Sequence, residues 1–331
     1  MIKTVSVIGA GSWGTTLAKL LAEKEEFAVK LWVRKAEQAA IIKAKRENVY
    51  YLPAVKLPDN LAIISDLQDA VPADVLVIST PSHAMRDIAE KLAPLVSEKQ
   101  LFVSCSKGLE DDSFLRMSEV IEKTIKNSLV AALSGPNHAE EVSQKEPTAT
   151  VIACKDTVIA EELQKVFLTP YFRPYTNKDI IGVELGGAFK NIIAVAIGLL
   201  NGLGYKDNIK AATMTRGLAE ISRLGVAMGA KAETFLGLSG TGDLITTCMS
   251  EHSRNRWAGE QLATGLKVKD ILSKTNMVVE GIRVVKSAYN LANTFSIEMP
   301  ITNELYKVIY EDKNVEKAVY DLMNRNYKSE N

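Results

Sequence analysis

The turn Gly9-Ala10-Gly11-Ser12-Trp13-Gly14 constrains this chain more than any other feature, because it joins an apolar run, Val5 to Ile8, to a helical pattern, Thr15 to Ala22. In such a turn the first glycine permits a tight bend and the second lets a pyrophosphate approach the backbone. The third lets helix and strand pack closely, and the helix N-terminus faces the anion. Glycine spacing alone is a weak signal, and a purely structural turn remains the alternative. The position between strand and helix makes Gly9, Gly11 and Gly14 candidates for dinucleotide binding.

Apolar runs at Val5 to Ile8, Val29 to Val33, Val75 to Ser79 and Leu101 to Ser104 read as strands, with helical patterns between several of them. That alternation predicts an α/β fold: a largely parallel, Rossmann-like sheet covered by helices. Val130 to Leu133, Thr150 to Ala153 and Phe172 to Tyr175 are further strand candidates. After Asn177 the pattern turns helical, at Val183 to Leu203, Lys210 to Met228, Arg254 to Leu262 and Glu280 to Ala292. A boundary near residue 180 is expected, giving a nucleotide-binding domain over 1–179 and a mostly α-helical C-terminal domain over 180–331. Val183 to Leu203 is apolar enough to suggest a membrane span. Glu184, Lys190 and Asn191 make that reading costly, and a helix buried between domains, its glycines allowing close packing, accounts for the same composition.

The 331 residues suffice for two domains, and 40 basic against 40 acidic side chains leave no net charge. Neutrality argues against a broad nucleic-acid or anionic-lipid surface, while a local basic pocket for a phosphorylated small molecule stays open. Cys105, Cys154 and Cys248 lie too far apart for a disulfide framework or a paired-cysteine zinc motif, and the three histidines are scattered, so no metal is expected. The chain opens as a strand without the separate regions of a signal peptide, and a cytoplasmic setting is expected.

The second strand ends Leu31-Trp32-Val33-Arg34-Lys35, where many NAD sites carry an acidic residue that binds a ribose hydroxyl. Arg34, helped by Lys35, is suited instead to the extra phosphate of NADP(H), without excluding NAD(H); a solvated strand end is the plainer reading. Ser79-Thr80-Pro81 and Ser104-Cys105-Ser106-Lys107-Gly108 mark further strand ends, where parallel sheets bind ligands. Lys107 is a candidate for orienting an anionic substrate, with a surface lysine as the alternative. Cys105 lacks an identifiable base and reads as structural rather than nucleophilic.

Taken with Ser106-Lys107-Gly108, Ser134-Gly135-Pro136, Glu184-Leu185-Gly186-Gly187-Ala188-Phe189-Lys190-Asn191, Gly237 to Leu244 and Ser253-Arg254-Asn255, the opening motif resembles the bacterial NAD(P)-dependent glycerol-3-phosphate dehydrogenases over nearly the whole chain. The resemblance implies reversible hydride transfer between dihydroxyacetone phosphate and sn-glycerol 3-phosphate, with NADP(H) or NAD(H), supplying phospholipid synthesis. It implies that Lys190 is the catalytic acid or base with Lys107 beside the substrate, and that Gly135, Asp243, Ser253, Arg254 and Asn255 meet the substrate. Ser12, Trp13, Arg34, Lys35, Lys107, Ala139, Arg254, Val278 and Glu280 match cofactor-contact positions, and a homodimer is implied. Asn137 stands where relatives commonly carry Ser or Thr; its amide still donates and accepts. His138 reads as structural or supporting rather than catalytic, given the stronger match at Lys190.

Chemically, ketone reduction needs a proton for the developing alkoxide, which a lysine ammonium supplies and, as an amine, takes back in the reverse direction. Without the resemblance, Lys190 could be a snorkelling helix lysine, Asp243 a helix cap, and Ser253 to Asn255 a solvated helix start. A redox-sensing nucleotide-binding regulator and a related 6-phosphogluconate or hydroxyacid dehydrogenase are the competing functions, because this architecture does not define a substrate.

Overall fold

In the computed structural model, residues 2–275, 278–326 and 329 are described, and they fall into two units, Met1–Glu184 and Leu185–Asn331. The first contains β1 (Thr4–Ile8), α1 (Ser12–Ala22), β2 (Ala28–Trp32), α2 (Ala36–Lys45), β3 (Glu47–Asn48), β4 (Leu52–Lys56), β5 (Ala62–Ile64), β6 (Val75–Ile78), α3 (Met85–Leu92), β7 (Leu101–Ser104), α4 (Met117–Thr124), β8 (Leu129–Ser134), α5 (Ala139–Ser143), β9 (Thr148–Ala153), α6 (Thr157–Phe167) and β10 (Phe172–Asn177). Eight strands form one sheet in the order β10-β9-β8-β7-β6-β1-β2-β5, and β3 pairs with β4 in a separate hairpin. Every pair in the large sheet is parallel except β8 with β9.

Side-chain alternation explains why these strands read as nearly continuous apolar runs. Val5, Val7, Val75 and Val77 pack on one face with Leu17, Leu20 and Leu21 of α1. Ile8, Leu76 and Ile78 pack on the other with Met85, Ile88 and Leu92 of α3 and with Val120 and Ile121 of α4. A sheet covered on both faces must be apolar on both. All seven expected strands are present, and α1 starts at Ser12, three residues before the expected Thr15. The strands β3, β4 and β5 were not expected, because they are partly exposed and lack the continuous apolar run of a strand covered on both faces. The chain runs from β1 outward through β2 to β5, then returns to place β6 on the other side of β1. Strand order therefore reverses between β1 and β6, and Gly9 and Ser79 lie just beyond the carboxyl ends of that pair.

The division between units falls inside α7 (Ile180–Gly202). It is followed by α8 (Asp207–Ala227), α9 (Ala232–Phe235), a π turn over Leu238–Gly242, α10 (Asp243–Met249), α11 (Arg254–Ala263), α12 (Val268–Ser273), α13 (Glu280–Phe295), α14 (Pro300–Tyr310) and α15 (Val315–Met323). The segment α7 is long and apolar enough to cross a membrane, with mean hydropathy 1.7, yet 94% of that stretch is buried within the folded chain, as in a core helix. Three of its glycines, Gly186, Gly198 and Gly202, pack closely against residues of the second unit. A Cβ at Gly198 would lie 1.8 Å from the carbonyl of Arg256, and one at Gly259 would lie 2.0 Å from that of Val195. Only glycine lets α7 and α11 approach so closely. At the other side of the division, the carboxylate of buried Glu184 pairs with Arg116 at 2.5 Å and accepts from the Ser118 N–H at 2.8 Å, holding the start of α4.

Candidate active site

The glycine turn of the first unit has the spatial form its spacing implied. Gly9 has φ of +113°, and a Cβ there would meet the Ser79 carbonyl oxygen at 2.5 Å, so β1 and β6 approach with no room for a side chain. A Cβ on Gly14 would lie 1.9 Å from the Gly9 carbonyl, which fixes α1 tightly against the turn. Gly11 differs: no atom lies within 4 Å of a Cβ placed there. Its backbone borders open space at the N-terminus of α1, whose first N–H groups lack intrahelical partners and whose dipole favours an anion.

Ser12 is buried and donates to the Tyr51 carbonyl at 2.7 Å. Half-buried Trp13 lays its ring against Phe172, with centroids 6.3 Å apart. Thr16 donates to the Ala139 carbonyl at 3.1 Å, which ties α1 to the first residue of α5. Arg34 and Lys35 are exposed beyond the end of β2. At the neighbouring strand ends, half-buried Lys107 donates through Nζ to the Gly135 carbonyl at 3.0 Å. Gly135 has φ of +153°, and a Cβ there would lie 3.0 Å from the Thr150 Cα. The Asn137 amide donates to Thr150 Oγ1 at 2.8 Å, and that hydroxyl donates to the Ser134 carbonyl at 3.0 Å. His138 takes extended backbone just before α5. Cys105 is buried, and burial pushes its thiol well above the ordinary range, against a thiolate nucleophile.

In the second unit, Lys190 projects from α7 and its Nζ lies 2.6 Å from Asp243 Oδ1, with both side chains buried. Thr247 Oγ1 also bonds Lys190 Nζ and lies 3.3 Å from the same carboxylate oxygen. Asp243 and Thr247 share a face of α10 one turn apart, a spacing legible in sequence once Asp243 is suspected, yet sequence reasoning missed Thr247. Gly186 lets α7 reach this place, since a Cβ there would be 2.8 Å from the Ser239 carbonyl.

Ser253 accepts from the Arg256 N–H at 3.3 Å and so caps α11. Asn255 bridges the unit: its amide donates to Asn191 Oδ1 at 2.8 Å, and its oxygen accepts from the Gly281 N–H at 2.9 Å. Arg254 opens α11 half-buried, and Glu280 opens α13 with Val278 two residues before it. Two further residues escaped sequence reasoning, Asn48 and Tyr51 of the β3–β4 hairpin, which bind the glycine turn from 33 to 39 positions away. No periodicity marks them.

An open-faced glycine turn at the reversal of a doubly wound sheet, with a helical second unit built around a buried lysine and carboxylate, defines a dinucleotide-dependent oxidoreductase of two units. Residues 4–160 match the family described as NAD-dependent glycerol-3-phosphate dehydrogenase N-terminus, and residues 179–320 match its C-terminus. A glycerol-3-phosphate dehydrogenase (NAD(P)+) of Chlorobium limicola is 47% identical, covering 98% of this chain and 99% of its own. That of Bacillus subtilis is also 47% identical, covering 98% and 95%. A crystal structure of glycerol-3-phosphate dehydrogenase from Coxiella burnetii superposes with a TM-score of 0.93 at 34% identity, covering 98% of this chain and 99% of that one. The chain belongs to the NAD-dependent glycerol-3-phosphate dehydrogenase family.

Proposed function

We propose that this chain interconverts dihydroxyacetone phosphate and sn-glycerol 3-phosphate by hydride transfer with NADP(H) or NAD(H), supplying glycerol 3-phosphate for phospholipid synthesis in the cytoplasm. The observation that carries the reading is the buried contact of Lys190 Nζ with Asp243 Oδ1 at 2.6 Å. It gives a family member a fixed ammonium group for proton transfer. In this reading the 1–179 region binds nucleotide and the 180–331 region binds substrate and carries the proton.

The open space at Gly11 and the tight contacts at Gly9 and Gly14 fit a pyrophosphate at the start of α1. When bound, the nicotinamide supplies or receives the hydride. Ser12 and Trp13 line the turn, and exposed Arg34 and Lys35 offer positive charge to a 2′-phosphate. Ala139, Val278 and Glu280 complete the proposed nucleotide contacts. Lys190 donates a proton to the ketone oxygen during reduction and accepts it from the alcohol during oxidation. Asp243 and Thr247 hold Nζ in place, and the carboxylate stabilises the ammonium form. Lys107 and Arg254 meet negative charge on the substrate or nucleotide, with Gly135, Ser253 and Asn255 completing the substrate contacts. The internal bonds of Ser253 and Asn255 support a positioning share in that role.

The test is oxidation of NADPH and, in parallel, NADH by the purified chain with dihydroxyacetone phosphate, with the product identified. Turnover to glycerol 3-phosphate is expected. Folded protein that turns over neither cofactor would move the weight to another substrate or to a nucleotide-sensing regulator. A homodimer is part of the proposal, checked by light scattering.

A further inference from the structure

Asn48 is fully buried and joins the β3–β4 hairpin to the glycine turn. Its Nδ2 donates to the Ala10 carbonyl at 2.9 Å and to Thr15 Oγ1 at 2.7 Å. Its Oδ1 accepts from the N–H groups of Tyr50 and Tyr51, each at 3.3 Å. A carbonyl can only accept and a peptide N–H can only donate, so these partners fix the orientation of the amide and use both its ends. A second link runs the other way, from Ser12 Oγ to the Tyr51 carbonyl at 2.7 Å.

The position of the Ala10 carbonyl has a direct effect on the nucleotide side of the turn. The Ala10–Gly11 peptide is planar and trans, so its C=O and N–H point in opposite directions. Asn48 holds the carbonyl on the hairpin side. The Gly11 N–H must then face away from Asn48. Thr15, the other partner of Nδ2, donates its own N–H to the Gly11 carbonyl at 2.9 Å. One side chain therefore grips the peptide before Gly11 and the helical residue that closes its first turn.

We propose that Asn48 is the positioning residue of the nucleotide turn, presetting the Gly11 peptide for pyrophosphate through a hydrogen-bonded clasp between the β3–β4 hairpin and α1. The proposal rests on the first unit binding a dinucleotide, as set out above. Preorganisation of this kind acts on nucleotide affinity and leaves the proton-transfer residues of the second unit untouched.

The test uses the full chain with Asn48→Ala and the isosteric Asn48→Asp, titrated with NADPH by nucleotide fluorescence and assayed with dihydroxyacetone phosphate; thermal melting confirms that each is folded. The aspartate loses the donor and places a carboxylate against the Ala10 carbonyl. We expect the NADPH dissociation constant to rise about tenfold in Asn48→Ala and further in Asn48→Asp, because a charge-bearing oxygen replaces a donor beside an anion site. The KM for NADPH should rise in parallel while kcat at saturating NADPH stays near that of the wild type. If Asn48→Ala does not fold, the aspartate variant decides. Wild-type NADPH affinity in a folded variant overturns the proposal, as does lowered stability or kcat with unchanged affinity. If the unsubstituted chain itself binds neither NADPH nor NADH, the dinucleotide reading falls as well.

Discussion

Lys190 on α7 and Asp243 at the start of α10 form a buried ion pair of 2.6 Å, joined by Thr247 from the next turn of α10. Fifty-three positions separate the two charges in the chain. Neither charge is tolerable alone at that depth, since an unpaired buried ion costs several kcal/mol. Stability and chemistry therefore rest on the same contact, and experiments must separate them.

Lys190→Ala should lower kcat in both directions by about 10²–10⁴-fold, the usual contribution of a positioned general acid or base. It should also lower stability by about 3–5 kcal/mol, because the buried Asp243 carboxylate loses its ammonium counter-charge. Adding Asp243→Asn should recover much of the stability and none of the activity. Hydride-transfer kinetics of the wild type in a folded Lys190→Ala variant would remove this residue from the mechanism.

Arg34 bears on cofactor choice. Arg34→Ala should raise the KM for NADPH by about tenfold, the effect of losing roughly 1.4 kcal/mol of charge-assisted bonding. The KM for NADH should change by less than twofold. Equal effects on both cofactors would show that Arg34 does not read the 2′-phosphate.

The crossing of α7 and α11 depends on two glycines. Gly198→Ala places a methyl group 1.8 Å from the Arg256 carbonyl, backbone that cannot swing aside. Overpacking of this kind costs about 1–3 kcal/mol. Differential scanning calorimetry should show a clear fall in Tm; an unchanged melt would mean that the helices separate at no cost.

Glu220 on α8 accepts from the N–H groups of Ile301 and Thr302 at 2.7 and 3.2 Å, holding the start of α14. Burial raises its carboxyl to about 7 from 4.5, against the opposing pull of those bonds. A raised folded-state value means that the native state binds the proton more tightly. The associated stability is fully present below pH 4.5 and is lost as pH rises through 7. The Tm of the wild type relative to Glu220→Gln should therefore fall between pH 5 and pH 8, within a span on the order of 3 kcal/mol. A relative rise over that interval would reverse the sign of the argument.

The three cysteines are buried, with the Cys248 thiol pushed up to about 12 by burial. A thiolate-directed reagent at pH 8 should label the native protein slowly and the unfolded protein at once. Rapid native labelling would reopen the reactive-thiol reading of Cys105.

Local pattern carried much of this protein into view. Strands covered on both faces must be apolar throughout, so Val5 to Ile8 and Val75 to Ile78 announce a parallel sheet directly. The glycine turn is local at Gly14, where the bend from strand into helix sets a Cβ against the Gly9 carbonyl, whereas the Ser79 carbonyl that forbids a Cβ at Gly9 comes from the neighbouring β6. Lys190 became a candidate through its motif, although its sequence neighbours do not reveal the carboxylate it meets.

Tertiary structure alone decided the rest. The clasp from Asn48 to Ala10 and Thr15, the bond from Thr247 to Lys190, and the bridge that Asn255 makes from Asn191 to Gly281 each join residues dozens of positions apart. Hydrophobic periodicity reports which face of an element leaves water, and it needs several repeats to be seen. A hydrogen bond between distant side chains has no period. It exists only once packing has brought donor and acceptor within about 3 Å.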